Sequence, residues 1–547
     1  MPRLTGGEAL VESLLVHDID TVFGLPGAQI YGLFDALHRA QPRLRVVGAR
    51  HEQACSYMAF GAARSSGRPS VCVVVPGPGV LNAGAGLLTA FGTNSPVLCL
   101  TGQVPRAFLD RGRGHLHEMP DQLATLRGFT KWAGRVEYPG LAPQQVACAF
   151  QQMLSGRRGP AALEMPWDVF TERTEVEPCP AWPPLPPPPP DPERLAAAAR
   201  LIAASRAPMI FVGGGAFDAR EEIRELAERL DAPVVAFRSG RGIVSNAHEL
   251  GLTIAEAYRL WPQVDLMIGI GTRLEVAFWR WPFVPAGITS IRIDIDAAEM
   301  RRFKPDVALV ADAGAATREL LAELRRSGTR RPLWRQAIVE ARLAAEAQVQ
   351  SIQPQVAYLR AIREVLPADG FLTDEISQMG FASWYAFPVY EPRTFVASGY
   401  QGTLGAGFPT ALGVKVAHPQ RAVVALCGDG GFMFAVQELA TAVQYGIAVV
   451  ALVFNNESYG NVRRDQQQSF EGRVLGAELV NPDFVRLGEA FGVDSARVAS
   501  PERLRPVLER ALGSGRPWLI EVPVPRGSES DPWRFIPPPR PGAAHVP

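Results

Sequence analysis

Along the chain a short run of β-branched apolar residues repeatedly ends in a Gly- or Pro-containing turn and gives way to a longer amphipathic stretch. Residues 70–75 precede Pro76-Gly-Pro-Gly, residues 209–212 precede Gly213-Gly-Gly, and residues 422–426 precede Gly428-Asp-Gly. Apolar runs without alternation are the mark of strands buried on both faces, and helices between them make the sheets parallel. The pattern predicts an α/β fold of three tandem doubly wound parallel-sheet domains. Between 178 and 192, ten of fifteen residues are proline, which can neither donate to a ladder nor continue a helix, so this stretch reads as an extended spacer. The expected division is a first domain at 1–177, the spacer at 178–192, a central domain at 193–328, a linker helix at 329–355, a third domain at 356–530 and a surface tail at 531–547. In open parallel sheets ligands sit beyond the carboxyl ends of the strands, where the Gly-rich turns fall.

Composition narrows the chemistry. At roughly 150 residues per domain, 547 residues allow three or four domains, and 47% hydrophobic with 20% charged residues describes an ordinary folded chain. Fifty-five basic residues balance fifty-five acidic ones, so no overall field favours nucleic acid or an anionic membrane, and a small-molecule ligand is expected. Only Lys131, Lys304 and Lys415 are lysines. None follows a glycine as a phosphate loop requires, and none has a context suggesting a Schiff base. The six cysteines form no Cys-x-x-Cys pair and read as small buried hydrophobes in a reducing compartment. The first residues carry no apolar core of signal length, and the longest apolar run, 447–454, is too short to span a bilayer, so a cytoplasmic location is expected.

The third segment carries the strongest signal. A strand at 422–426 runs into Gly428-Asp429-Gly430-Gly431, a helix is expected over 432–445, and a second strand at 448–454 ends in Asn455-Asn456. One right-handed crossover of that length returns both strand ends to the same edge, placing Asp429 beside Asn456. A carboxylate and an amide oxygen suit a hard cation such as Mg²⁺, and the glycines let backbone N–H groups approach a diphosphate.

This constellation resembles the diphosphate and metal motif of thiamine-diphosphate enzymes. The resemblance implies Asp429, Asn456 and the backbone carbonyl of Ser458 as metal ligands, with Gly428, Gly430, Gly431, Tyr459 and Gly460 around the cofactor. In Arg50-His-Glu52-Gln-Ala it places the catalytic glutamate at Glu52, which would donate a hydrogen bond to the pyrimidine N1′ and so activate the cofactor. Pro26 and Gly27, then Asn82 of Pro76-Gly-Pro-Gly-Val-Leu-Asn, match further cofactor loops. In Gly402-Thr-Leu404-Gly, Leu404 would be the wedge that bends the cofactor and the Gly402 carbonyl would accept from N4′. The match covers nearly the whole chain as pyrimidine-binding, central and diphosphate-binding domains.

Gly-Gln-Val-Pro-Arg, Thr130-Lys131-Trp and Ile293-Asp-Ile-Asp296 place the sequence nearest the acetolactate-synthase branch, with relatives among benzaldehyde lyase, glyoxylate carboligase and cyclohexanedione hydrolase. The implied reaction is attack on a 2-oxoacid or aldehyde carbonyl, loss of CO₂ or a carbon fragment, and capture of the remainder by a proton or a second carbonyl. The alternative within the family is a decarboxylase, lyase or hydrolase of a more polar 2-oxoacid, diketone or acyloin. His117 stands where the branch carries a glutamine, and Gly460-Asn461-Val462 with Asp465 replaces its more apolar pattern, so the pocket is expected to be polar, lined by Gln29, His117, Asn461 and Trp384. Gly213-Gly-Gly, Gly271-Thr-Arg273 and Asp294 resemble part of the branch's FAD site, but Arg238-Ser-Gly-Arg-Gly and Gly251-Leu-Thr-Ile depart from it and weigh against bound FAD. A nucleotide-dependent oxidoreductase would leave Glu52, Asp429 and Asn456 without roles. Because Glu52 and Asp429 lie on different domains that meet across subunits in this family, a homodimer or homotetramer is implied.

Overall fold

The computed structural model describes residues 1–326 and 334–528. It contains three six-stranded sheets in which every pairing is parallel, plus a two-stranded antiparallel ribbon of Arg3–Thr5 with Arg173–Glu175 that closes the first domain. Numbering strands in chain order within each domain, the first and third sheets share the order 2-1-3-4-6-5, and the central sheet has the order 3-2-1-4-5-6. The uninterrupted apolar runs do lie at the sheet centres: Ser70–Val74, Pro208–Val212 and Val450–Phe454 are buried throughout. The three-domain α/β architecture is therefore what the pattern of apolar residues demanded.

Residues 178–191 adopt no regular secondary structure and lie along the first domain, held where Gln151 Nε2 donates to the Pro183 carbonyl at 3.0 Å and the Leu185 amide donates to Ser155 Oγ at 2.9 Å. Helix Arg335–Val349 buries Ile338, Ala341, Ala345 and Val349 in a core shared with the central domain, and residues 327–333 and the tail expected at 531–547 lie outside the described residues.

One element departs from expectation. The helix expected over 432–445 is two pieces, Asp429–Phe432 and Glu438–Tyr445. Long-range contacts override local helix propensity here: the buried Glu438 carboxylate accepts from the Arg50 amide at 3.1 Å, and Phe434 sits where a β-carbon on Gly405 would come within 2.5 Å of it.

The first and third domains meet through helices Glu52–Ser66 and Gly407–Ala417, whose crossing is lined by Gly61 and Gly413. Tyr57 on the first helix hydrogen-bonds Thr403 in the loop before the second.

Candidate active site

Four loops at the carboxyl edge of the first sheet gather one group of polar side chains. After strand Arg45–Gly48, His51 caps helix Glu52–Ser66 by accepting from the Gln53 amide at 3.1 Å, which starts the helix at Glu52. Glu52 is half-buried and accepts from Asn82 Nδ2 at 3.0 Å. Asn82 rides on helix Pro78–Gly92, which follows strand Ser70–Val74. Gly77 has φ +61° and packs so closely that a β-carbon would lie 2.5 Å from the His117 carbonyl. Gln29, 2% exposed, donates from Nε2 to the Leu116 carbonyl at 2.6 Å and places Oε1 3.2 Å from His117 Nδ1. A carbonyl only accepts, so the Leu116 contact fixes the amide's orientation, and Oε1 then requires the imidazole proton on Nδ1. Nε2 of His117 is left as the nitrogen able to take a proton. Pro26 is exposed and Gly27 half-buried in the neighbouring loop.

A buried network holds this half in place. The Gln122 side chain accepts from the Gly77 amide at 2.8 Å and donates to the Gly102 carbonyl and to Glu164, which in turn pairs with Arg135. Burial pushes the Glu164 carboxyl up, against the pull of Arg135.

The second group lies at the equivalent edge of the third sheet. A cavity of about 200 Å³ is lined by Leu404, Gly428, Asp429, Gly430, Gly431, Asn456, Ser458, Tyr459, Gly460 and Asn461. The sequence pattern thus brings these predicted residues together. Asp429 begins a short helical turn at the end of strand Val423–Gly428, and Asn481 Nδ2 donates to its Oδ2 at 2.7 Å and to Asn455 Oδ1 at 3.0 Å. Burial raises the Asp429 carboxyl above its ordinary range, opposed first by Asn481. The Ser458 amide donates to Asn456 Oδ1 at 3.2 Å, while its hydroxyl is buried with no hydrogen-bond partner. A buried carboxylate, an amide and an orphaned hydroxyl facing one cavity fit a hard, oxygen-seeking cation and a diphosphate. Among the described residues no three His, Cys, Asp or Glu side chains converge on a metal site, so any cation here relies on the single Asp429 carboxylate together with amide, carbonyl and phosphate oxygens. Gly402 has φ +57°, a conformation that favours glycine, and Leu404 follows it into the cavity.

Trp384 is a correction. Instead of lining the pocket it is 3% exposed, donates from Nε1 to Asp374 Oδ2 at 2.5 Å and packs edge-on against Phe237 and Phe381 between the third and central domains. Its helix, Gln378–Ala386, is buried on almost every side, so the indole falls in the core. Asn461 does line the cavity, paired with Gln378. Gln378, Asn481 and Glu375 were missed from the sequence. The signal for Glu375 was there: two adjacent carboxylates, Asp374 and Glu375, directly after the apolar strand Phe371–Thr373.

In the central domain the glycine turn at 213–215 faces Gly271–Arg273 across the point where the strand order reverses. A cavity of about 550 Å³ there carries Arg64, Arg157, Arg273, Arg318 and Arg393 on its walls. The adjoining recess beside Arg238 and Glu275 holds about 90 Å³. Arg238 and Arg280 both pair with Glu275 at its edge.

Family profiles match three successive segments of the chain. The profile of the thiamine pyrophosphate enzyme N-terminal TPP binding domain matches residues 4–125, that of the central domain 195–320 and that of the C-terminal TPP binding domain 375–522. A probable acetolactate synthase large subunit of Methanocaldococcus jannaschii is 34% identical over 95% of this chain and 92% of its own length. A probable 2-ketoarginine decarboxylase of Pseudomonas aeruginosa is also 34% identical, over 95% and 94%. Acetolactate synthase isozyme 3 large subunit of Escherichia coli is 31% identical over 94% and 93%. With three matching domains in the expected order and relatives that span the chain from end to end, the protein belongs to the thiamine-pyrophosphate enzymes, in their acetolactate synthase-like branch.

Proposed function

We propose that the chain is a thiamine-diphosphate- and Mg²⁺-dependent enzyme that decarboxylates a 2-oxoacid and transfers the acyl unit to a second carbonyl. The observation that carries this reading is the pair of polar groups at equivalent sheet edges: Glu52 with Asn82 on one, Asp429 with Asn456 and Ser458 on the other. Bound thiamine diphosphate supplies a carbon nucleophile for the keto group. Asp429, Asn456 and the Ser458 carbonyl would hold Mg²⁺, and the amides of Gly430 and Gly431 the diphosphate. Glu52 would hold a proton at the pyrimidine ring, with Asn82 fixing its carboxyl. Leu404 and the Gly402 carbonyl would set the cofactor's bend. His117 Nε2 would move a proton at the reacting carbonyl.

The residues lining the diphosphate cavity all fall between Gln355 and Ser528, and none comes from the first domain. That separation favours a site completed by the first domain of a second chain, hence a homodimer or homotetramer. No helix among the described residues is long and apolar enough to cross a membrane, and we infer a cytoplasmic enzyme acting on small 2-oxoacids or aldehydes.

Flavin is disfavoured. The ground for this is in the sequence, where Arg238-Ser-Gly-Arg-Gly and Gly251-Leu-Thr-Ile depart from the pattern of the branch's FAD site. The purified protein should therefore lack flavin absorbance.

A decarboxylase is the second reading, favoured by His117, which can protonate the product carbon where glutamine cannot, and by the relative named as a 2-ketoarginine decarboxylase. The deciding experiment combines Glu52→Gln with product analysis. Glu52→Gln should abolish turnover while cofactor still binds, and full activity in it overturns the assignment. With pyruvate alone, acetolactate supports acyl transfer, and acetaldehyde or no product supports the second reading.

A further inference from the structure

The first three strands of the third sheet lie in the order Phe395–Val396, Phe371–Thr373, Val423–Gly428. The outer two lead into the two loops assigned above to the two ends of the cofactor, Gly402–Leu404 and Gly428–Gly431. The middle strand leads into Glu375. We propose that Glu375 is a positioning residue that ties these two loops together and so sets the span over which thiamine diphosphate is held.

Glu375 is 1% exposed, and its carboxyl oxygens are divided between the loops. Oε1 accepts from the Gly405 amide at 2.6 Å, and Oε2 accepts from the Gly428 amide at 3.1 Å. The group lies flat against Gly431, where a β-carbon would come within 2.5 Å of its Cδ, and its own Cβ approaches within 3.1 Å of a β-carbon built on Gly407. Glycines of both loops thus close around one planar group. Two donors from two loops need two acceptors on one side chain. Glutamate supplies them, whereas glutamine would turn an NH₂ toward one of the amides. A serine or aspartate in this place is too short to reach both. The carboxyl accepts from both loops at once. Burial pushes this carboxyl up to about 7, and the amides of Gly405 and Gly428 oppose that rise, as they must if they face it directly.

The inference rests on the reading of the two loops as cofactor-binding, and its test separates the two. In the cofactor-free protein, hydrogen–deuterium exchange should find the Gly405 and Gly428 amides protected in the wild type and at least one of them exposed in Glu375→Gln. Titration with thiamine diphosphate and Mg²⁺ should show affinity falling about tenfold, the order expected when a buried donor loses its acceptor. The near-ultraviolet dichroism of the bound aminopyrimidine should change, and kcat should fall while KM for the 2-oxoacid holds. A side chain that merely filled space would lower the melting point but leave the affinity and the kcat-to-KM split alone. A folded Glu375→Gln protein with wild-type affinity and wild-type exchange at both amides overturns the proposal. Should that variant not fold, free exchange at 405 and 428 in the wild type overturns it, and protection at both supports it. Failure of the wild type to bind cofactor would sink the proposed function and leave the exchange result standing as the measure of the tie.

Discussion

Gly61 and Gly413 meet the opposite helix's backbone at the crossing of the two domains: a β-carbon on Gly61 would collide with the Thr410 carbonyl, and one on Gly413 with the Met58 carbonyl. Neither neighbour is a flexible side chain, so neither can yield without moving a helix. The close approach seats the helix that begins at Glu52 on the helix that follows the Gly402–Leu404 loop.

Gly61→Ala or Gly413→Ala should therefore cost at least the ~1–3 kcal/mol typical of overpacking. Chemical denaturation would measure it, and Gly128→Ala, in helix Gln122–Phe129 with nothing within 4 Å of the added β-carbon, is the control for a helical glycine beside open space. Equal losses at all three positions would show that the helix crossing tolerates a methyl group.

Chelation should remove activity, and Mg²⁺ with thiamine diphosphate should restore it. Asp429→Asn keeps the shape and the contact with Asn481 but removes the charge, so the Mg²⁺ concentration for half-maximal activity should rise at least tenfold, because Mg²⁺ depends heavily on carboxylate charge. Unchanged Mg²⁺ dependence would remove Asp429 from the ligand set.

Asp374 and Glu375 give stability a pH signature. Burial raises both, from 3.8 and 4.5 respectively to about 7. The folded protein holds these protons more tightly than the unfolded chain, so the stabilisation is complete below the ordinary values and is lost as pH rises through about 7. Glu375→Gln has one fewer group to titrate, and its denaturation midpoint should fall less between pH 5 and 7 than that of the wild type. Identical slopes would show that Glu375 does not titrate in this window.

The fold was legible because parallel strands buried on both faces must be written as unbroken apolar runs. The diphosphate half of the site was legible for a related reason: Asp429, Asn456 and Ser458 lie on adjacent strand ends, so their spacing in sequence is their spacing in space. Trp384 was misplaced because an aromatic looks the same in a core as in a pocket, and only its neighbours Asp374 and Phe237 decide which it is. The acidic pair at 374–375 marked Glu375 as a candidate, but its role was hidden, like that of Gln122, because the partners are backbone amides of distant loops, at Gly405, Gly428 and Gly77, which leave no trace in residue type.

The diphosphate cavity draws its whole wall from residues 355–528, and this has a genetic consequence. A chain disabled at Glu52 still carries an intact diphosphate half, and a chain disabled at Asp429 still carries an intact pyrimidine half. Co-expressed, two such dead chains should complement, each mixed pair containing one site assembled from the two undamaged halves and one from the two damaged ones. Recovery of turnover only on mixing would show that the enzyme's functional unit is the seam between two copies, and silence on mixing would place the whole reaction within one.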